Sequence, residues 1–205
     1  MTVAPPGKPH IQQLHDLASS SALRNLDGLL DEFNIFDAIG MAHQEIRHST
    51  FLAFLLSPRA NHGLRDLILK AVLREAGLEA SWLEEVDLCD TEVTREWNNI
   101  DVIAYNPSNK LVLVIENKVF TGEHDDQLSR YHKFVQNSYP DCAVHSLYLT
   151  PDGAAASHAA FRSISYSQLC RVLEATACAE VVNSNETIRY TDLHLNLRCR
   201  IVAAG

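Results

Sequence analysis

The chain has 205 residues, long enough for one sizeable core or for a core with a small helical lobe. Hydrophobic residues make up 46% and charged ones 21%, the balance of a globular domain rather than a disordered chain, and no apolar run approaches the ~20 residues a membrane span requires. Acidic residues outnumber basic ones 26 to 17, for a net charge of −9, which argues against tight autonomous binding of a polyanion unless basic groups gather locally.

Met1 to Pro9 carries three prolines and no apolar core, so residues 1–10 read as a loose tail and not as a signal peptide. Ile11 to Leu30 reads as helix, with a break at Ser19–Ser21, and Asn34 is placed to cap a short one. His43 to Leu56 is a strong helix that stops ahead of Pro58. Gly63 to Ala76 is the next, stopped at Gly77. These elements form a helical segment over 11–80 that is expected to pack on the core. Val86 to Trp97 reads as an irregular strand. Ile100–Tyr105 and Leu111–Ile115 read as paired strands around the turn residues Asn106, Pro107, Ser108 and Asn109. The unbroken apolar run of the second strand predicts cover on both faces. A helix with Gln127 and Tyr131 follows. After it come a strand over Ala143–Leu149, a small-residue loop over Asp152–Ala160, a strand over Phe161–Tyr166 and a helix over Ser167–Ala179. This order predicts an α/β fold with a mixed central sheet flanked by helices, its core over 81–182. Residues 183–205 form a C-terminal segment that reads equally as helix or strand, either a truncated end or an oligomer contact.

Pairing Tyr105 with Lys110 puts Asp101 opposite Val114, so that Asp101, Val114, Glu116 and Lys118 share one face. Gln127 and Tyr131, four apart on a helix, look down on the same strand ends. Charged groups at the end of a buried strand are costly unless they are paired or used. Two carboxylates suit Mg²⁺ or Mn²⁺, ions that lower the pKa of water and stabilise charge on a scissile phosphate. A lysine beside them can orient the attacking hydroxide and offset phosphate charge. The same spacing serves a buried structural ion pair as readily. The five cysteines are scattered without C-x-x-C spacing, and the ten histidines show no H-x-x-x-H pattern. Neither a zinc site nor a disulfide framework is indicated, and a reducing cytoplasm is the simplest setting.

Asp101 followed by Glu116-Asn117-Lys118 resembles the PD-(D/E)XK nuclease superfamily. Gln127-Leu128-Ser129-Arg130-Tyr131 looks like the Q-x-x-x-Y extension of its RecB-like branch. Glu45 through Pro58, Asn61 through Leu64 and Leu147 through Gly153 are similar to a poorly characterised bacterial subgroup. Ile100 stands where the superfamily carries its named proline. The resemblance implies a restriction-endonuclease-like core and a metal-dependent nuclease, with DNA favoured over RNA. Asp101 and Glu116 would be ligands of Mg²⁺ or Mn²⁺, and Lys118 the catalytic lysine. Gln127 and Tyr131 would orient the site or touch the nucleic-acid backbone, with Arg130 beside them on the substrate. Glu45 would add a third metal ligand, or else is an ordinary solvated glutamate. Glu96 either reaches the metal or pairs with Arg95 or Lys110, and His48 is at most a partner for Glu45. Lys118, Arg130, Lys133, Arg95 and Arg162 are the cations available to the cleft. The rival readings are a catalytically silent nuclease-like domain that binds a partner protein, and a structural α/β protein with a buried ion pair.

Overall fold

The computed structural model describes residues 44–119 and 126–183, with side chains through residue 176. The tail over 1–10, the helix over Ile11–Leu30, the Asn34-capped helix and residues 184–205 lie outside the described residues. What is described belongs to one compact unit, Ile35–Gly205.

The elements run α1 (Glu45–Leu56), α2 (Leu67–Glu75), α3 (Ala80–Glu85), β1 (Glu92–Trp97), β2 (Ile100–Asn106), β3 (Leu111–Asn117), α4 (Gln127–Ser138), β4 (Ala143–Thr150), β5 (Phe161–Ser165) and α5 (Tyr166–Asn183). Among the described residues the strands form one sheet in the order β1-β2-β3-β4-β5. The first three pair antiparallel; β3, β4 and β5 pair parallel. The sheet is therefore mixed, as expected, and α4 makes the crossover from β3 to β4.

Every residue of β3 is buried, which agrees with its continuous apolar run. One face carries Val102, Ala104, Leu113, Ile115, Leu147 and Leu149 and packs on residues of α1, α2 and α5. The other carries Ile103, Val112, Val114 and Tyr148 under Leu128, Tyr131 and Val135 of α4. Three layers result, helix on sheet on helix, each helix burying one stripe.

Several boundaries differ from the sequence expectation for local reasons. Helix α2 starts at Leu67 rather than Gly63, because the His62 ring holds the preceding loop through the Ser57 carbonyl and the Leu64 amide, 2.9 and 3.0 Å away. Gly77 does end that segment, at φ +98°, and Arg162 Nη1 lies 3.3 Å from where a Cβ would stand. A six-residue helix, α3, occupies a stretch to which the sequence pattern assigns no element, and β1 begins only at Glu92. Trp97 pairs with Ile100 across Asn98 and Asn99, both at positive φ (53° and 64°), the geometry of a two-residue type I′ hairpin. Glu96, just before it, also has positive φ, 55°.

The register between β2 and β3 corrects the expected one. Tyr105 pairs with Val112, not Lys110, and Ile103 with Val114. Asn106 is drawn into the strand, where its buried amide donates to Thr91 Oγ1 at 3.0 Å and its carbonyl oxygen accepts the Asn109 amide at 2.9 Å. The loop keeps four residues but moves one position along, to Pro107–Lys110, with Lys110 at φ 49° closing it. The slip is two positions, so every side chain keeps its face.

Candidate active site

Asp101 lies one step beyond the Val102–Ile115 pair, level with Glu116 instead of Val114. Alternation puts both on the α4 face of the sheet. Strand β3 ends there, and Lys118 turns its amide to the Leu149 carbonyl of β4 at 2.8 Å. Asp101 Oδ2 accepts the Asn117 main-chain N–H at 2.7 Å. Glu116 is 1% exposed. Its Oε1 accepts from Lys118 Nζ at 2.9 Å and from Gln127 Nε2 at 3.0 Å. Gln127 also donates to Tyr131 Oη at 2.7 Å, and Tyr131 donates to the Asn99 carbonyl at 2.6 Å. The i, i+4 spacing thus does as expected: the first turns of α4 bind β3 and the β1–β2 hairpin together.

The electrostatics are unbalanced. Burial, then the neighbouring Asp101 charge, pushes Glu116 up to about 7, despite the ammonium beside it. Burial likewise raises Asp101 to about 6, against the pull of the Asn117 amide and Lys118. Burial pulls Lys118 down, yet its hydrogen bond to Glu116 and the surrounding carboxylates outweigh that, and the net shift is upward. Two desolvated carboxylates share one cation. Glu116 Oε2 and Gln127 Oε1 are buried and, among the described residues, have no hydrogen-bond partner. Such orphans are rare in folded proteins. Hard carboxylate oxygens with an uncommitted buried lone pair fit a divalent cation of the Mg²⁺ or Mn²⁺ type.

The other expected residues divide. Glu45 opens α1 and reaches the end of β3, where its Oε1 accepts the Val119 amide at 2.8 Å. Its charge acts on Asp101 and Lys118. Glu96 is exposed and lies 3.5 Å from Arg95, which also donates to Thr50 at 2.7 Å. Arg130 and Lys133 are exposed on α4, and Arg162 sits on β5 at the far edge of the sheet. Of the basic candidates, Lys118 alone forms an ion pair with Glu116 among the described residues. His48 is buried, edge-on to Tyr166.

Sequence reasoning passed over Asn117, Ser49 and Tyr166, which form a buried polar cluster directly behind the carboxylates. It also passed over a second group. The ligand atoms of Asp66, Asp87 and Cys89 all lie within 4.8 Å of one another, close enough to share an ion. That group borders the β2–β3 turn, where Asn109 binds the Asp87 carbonyl, at the opposite end of these strands from Asp101. Asp66 Oδ2 there already accepts from Lys70 and the Leu88 amide, and Cys89 from Arg65.

No curated protein and no solved structure matches the chain. Residues 33–194 do match the profile of one family, across the strands, helices and carboxylates just described. By that match the chain belongs to the PD-(D/E)XK nuclease superfamily.

Proposed function

We propose that the protein is a metal-dependent nuclease that hydrolyses phosphodiester bonds, with DNA favoured over RNA as substrate. The observation that carries the reading is Glu116 Oε2, buried without a partner among the described residues and beside a second desolvated carboxylate. Asp101 and Glu116 hold Mg²⁺ or Mn²⁺, with Glu45 as a further carboxylate from α1. Bound there, the ion supplies Lewis-acid stabilisation of the phosphoryl charge and an activated water for in-line attack. Lys118 gives its ammonium to the attacking water or the phosphate as it leaves Glu116. Gln127 and Tyr131 fix the Glu116 carboxylate and the hairpin rim. Arg130 is close enough in sequence to meet a phosphate of the bound strand. The Gln127–Tyr131 arrangement supports a place in the RecB-like branch, and a cytoplasmic setting suits the free thiols.

The test is incubation of the full chain with single-stranded DNA, linear and circular duplex DNA, and RNA, with Mn²⁺ or Mg²⁺ and with chelator. Metal-dependent cleavage that Lys118→Ala abolishes is the expected result. One observation favours the rival, a silent nuclease-like domain that binds a partner protein. Lys118 Nζ already sits 2.9 Å from Glu116 Oε1, an ion pair made within the chain, in a chain of net charge −9. A folded chain that neither cleaves any of these substrates nor binds Mn²⁺ decides against the nuclease, in favour of that rival or of a structural α/β protein.

A further inference from the structure

Asn117 stands between Glu116 and Lys118, and strand alternation turns its side chain to the opposite face. That face is the one packed by α1 and α5. There Asn117 is 1% exposed and makes three kinds of contact. Its Nδ2 donates to Ser49 Oγ at 3.2 Å and to the Glu45 carbonyl at 3.5 Å. Its Oδ1 accepts the hydroxyl of Tyr166, the first residue of α5. Ser49 in turn donates to the Glu45 carbonyl at 3.2 Å. Ser49 and Tyr166 are as deeply buried as Asn117, at 0% and 1% exposure. Meanwhile the Asn117 main-chain N–H holds Asp101 Oδ2 at 2.7 Å. One residue therefore grips β2 with its backbone and two helices with its amide.

The residue it grips on α1 matters. Glu45 is tethered twice at this point: its carbonyl by Asn117 and Ser49, and its carboxylate Oε1 by the Val119 amide two residues further on. An isolated serine–asparagine contact would be only local glue. Here the buried amide instead fixes where the first turn of α1 meets the end of β3, and so where Glu45 stands relative to Asp101 and Glu116. A primary amide suits the task, because it donates to α1 and accepts from α5 at once.

We infer that Asn117 is a positioning residue, locked by Ser49 and Tyr166, that delivers the Glu45 carboxylate to the Asp101–Glu116 pair. The inference rests on the metal site of the preceding subsection. Partners that orient a metal ligand cost about 10–100-fold in affinity when lost. Asn117→Ala thus weakens Mn²⁺ binding by about 10-fold or more, and Tyr166→Phe, which removes only the hydroxyl, weakens it by a smaller factor in the same direction. The effect runs through Glu45, so Asn117→Ala adds nothing once Glu45→Gln is present; independent sites would add.

The experiment is calorimetric titration of the full chain with Mn²⁺ for the wild type, Asn117→Ala, Tyr166→Phe, Glu45→Gln and the Asn117→Ala/Glu45→Gln double variant. Hydrogen exchange at the Val119 amide is followed without metal. Weakened binding in both Asn117→Ala and Tyr166→Phe, non-additivity with Glu45→Gln, and faster Val119 exchange are the expected results. Folded variants with wild-type affinity, or losses that add, overturn the inference. If the wild type binds no Mn²⁺, the metal reading falls, while Val119 exchange still decides whether Asn117 positions Glu45. Unchanged exchange in Asn117→Ala overturns that part as well.

Discussion

The two ends of the β2–β3 pair carry comparable numbers of polar side chains and treat them in opposite ways. At the turn end, Asn106 binds Thr91 and Asp90, Ser108 binds Asp90, and Asn109 binds the Asp87 carbonyl. The Ser108 hydroxyl holds the Asp90 carboxylate below its usual range, so ionisation there favours the fold. At the other end, burial pushes Asp101 and Glu116 up, and two buried polar atoms have no partner among the described residues. One end spends its polar groups on its own structure; the other leaves two buried oxygens, Glu116 Oε2 and Gln127 Oε1, uncommitted among the described residues, at a cost in stability. Uncompensated burial of this kind is where ligand chemistry is to be sought.

Four measurements break or sharpen that contrast. The largest effect is on turnover: Lys118→Ala lowers kcat on the order of 10³-fold while Mn²⁺ still binds, as removal of a group that stabilises developing charge does. Normal cleavage by this variant would refute the assigned role. Next is Mn²⁺ itself. At about 100 times its Kd the ion stabilises by about 2.7 kcal/mol, a rise in Tm of roughly 5–10 °C for a chain of this size. Asp101→Asn and Glu116→Gln remove that rise, which thermal melting checks. Third, Asn106→Ala at the turn end strips partners from buried groups and costs about 2 kcal/mol, yet leaves the Mn²⁺ shift in Tm intact. If the metal response falls with it, the two ends are not independent.

The smallest effect is on the pH profile of the metal-free protein. Glu116 moves from 4.5 to about 7 on folding, and Asp101 from 3.8 to about 6. The folded state then binds more protons than the unfolded one across that window. The contribution of this pair is therefore greatest below about pH 4, falls as pH rises, and is flat above about 7. Glu116→Gln removes the Glu116 part of the decline and stabilises the metal-free protein at pH 8 by about 1 kcal/mol, part of the gain being offset by the lost Lys118 pair. Urea unfolding at pH 5 and pH 8 tests the sign; a variant less stable than wild type at pH 8 contradicts it.

The architecture was legible where hydrophobic runs were long. The unbroken apolar run Leu111–Ile115 between turn residues pointed to a doubly covered strand, and Ile100–Tyr105 to its neighbour. The carboxylates and Lys118 were legible because charge at the end of such a strand stands out, and Gln127 and Tyr131 because helical spacing is rigid. The β2–β3 register was not, since it depends on Asn106 reaching across to Asp90 and Thr91, and on Lys110 accepting a positive φ. Helix α3 was missed because six residues show too little periodicity. Ser49, Asn117 and Tyr166 were missed for a different reason: the partners of Asn117 lie 68 and 49 positions away, and no local pattern marks them.

Strand β1 lies at one edge of the described sheet, and Glu96 near its end takes a positive φ. A flat, uncharged rim there would invite a strand from another molecule to add on. Glu92, Arg95 and Glu96 charge this rim, and the left-handed bend at Glu96 interrupts its regular ladder just before the hairpin. Charge and bend together oppose the addition of a further strand at this edge of the described sheet, a guard against copy-on-copy pairing set among residues beside the carboxylates.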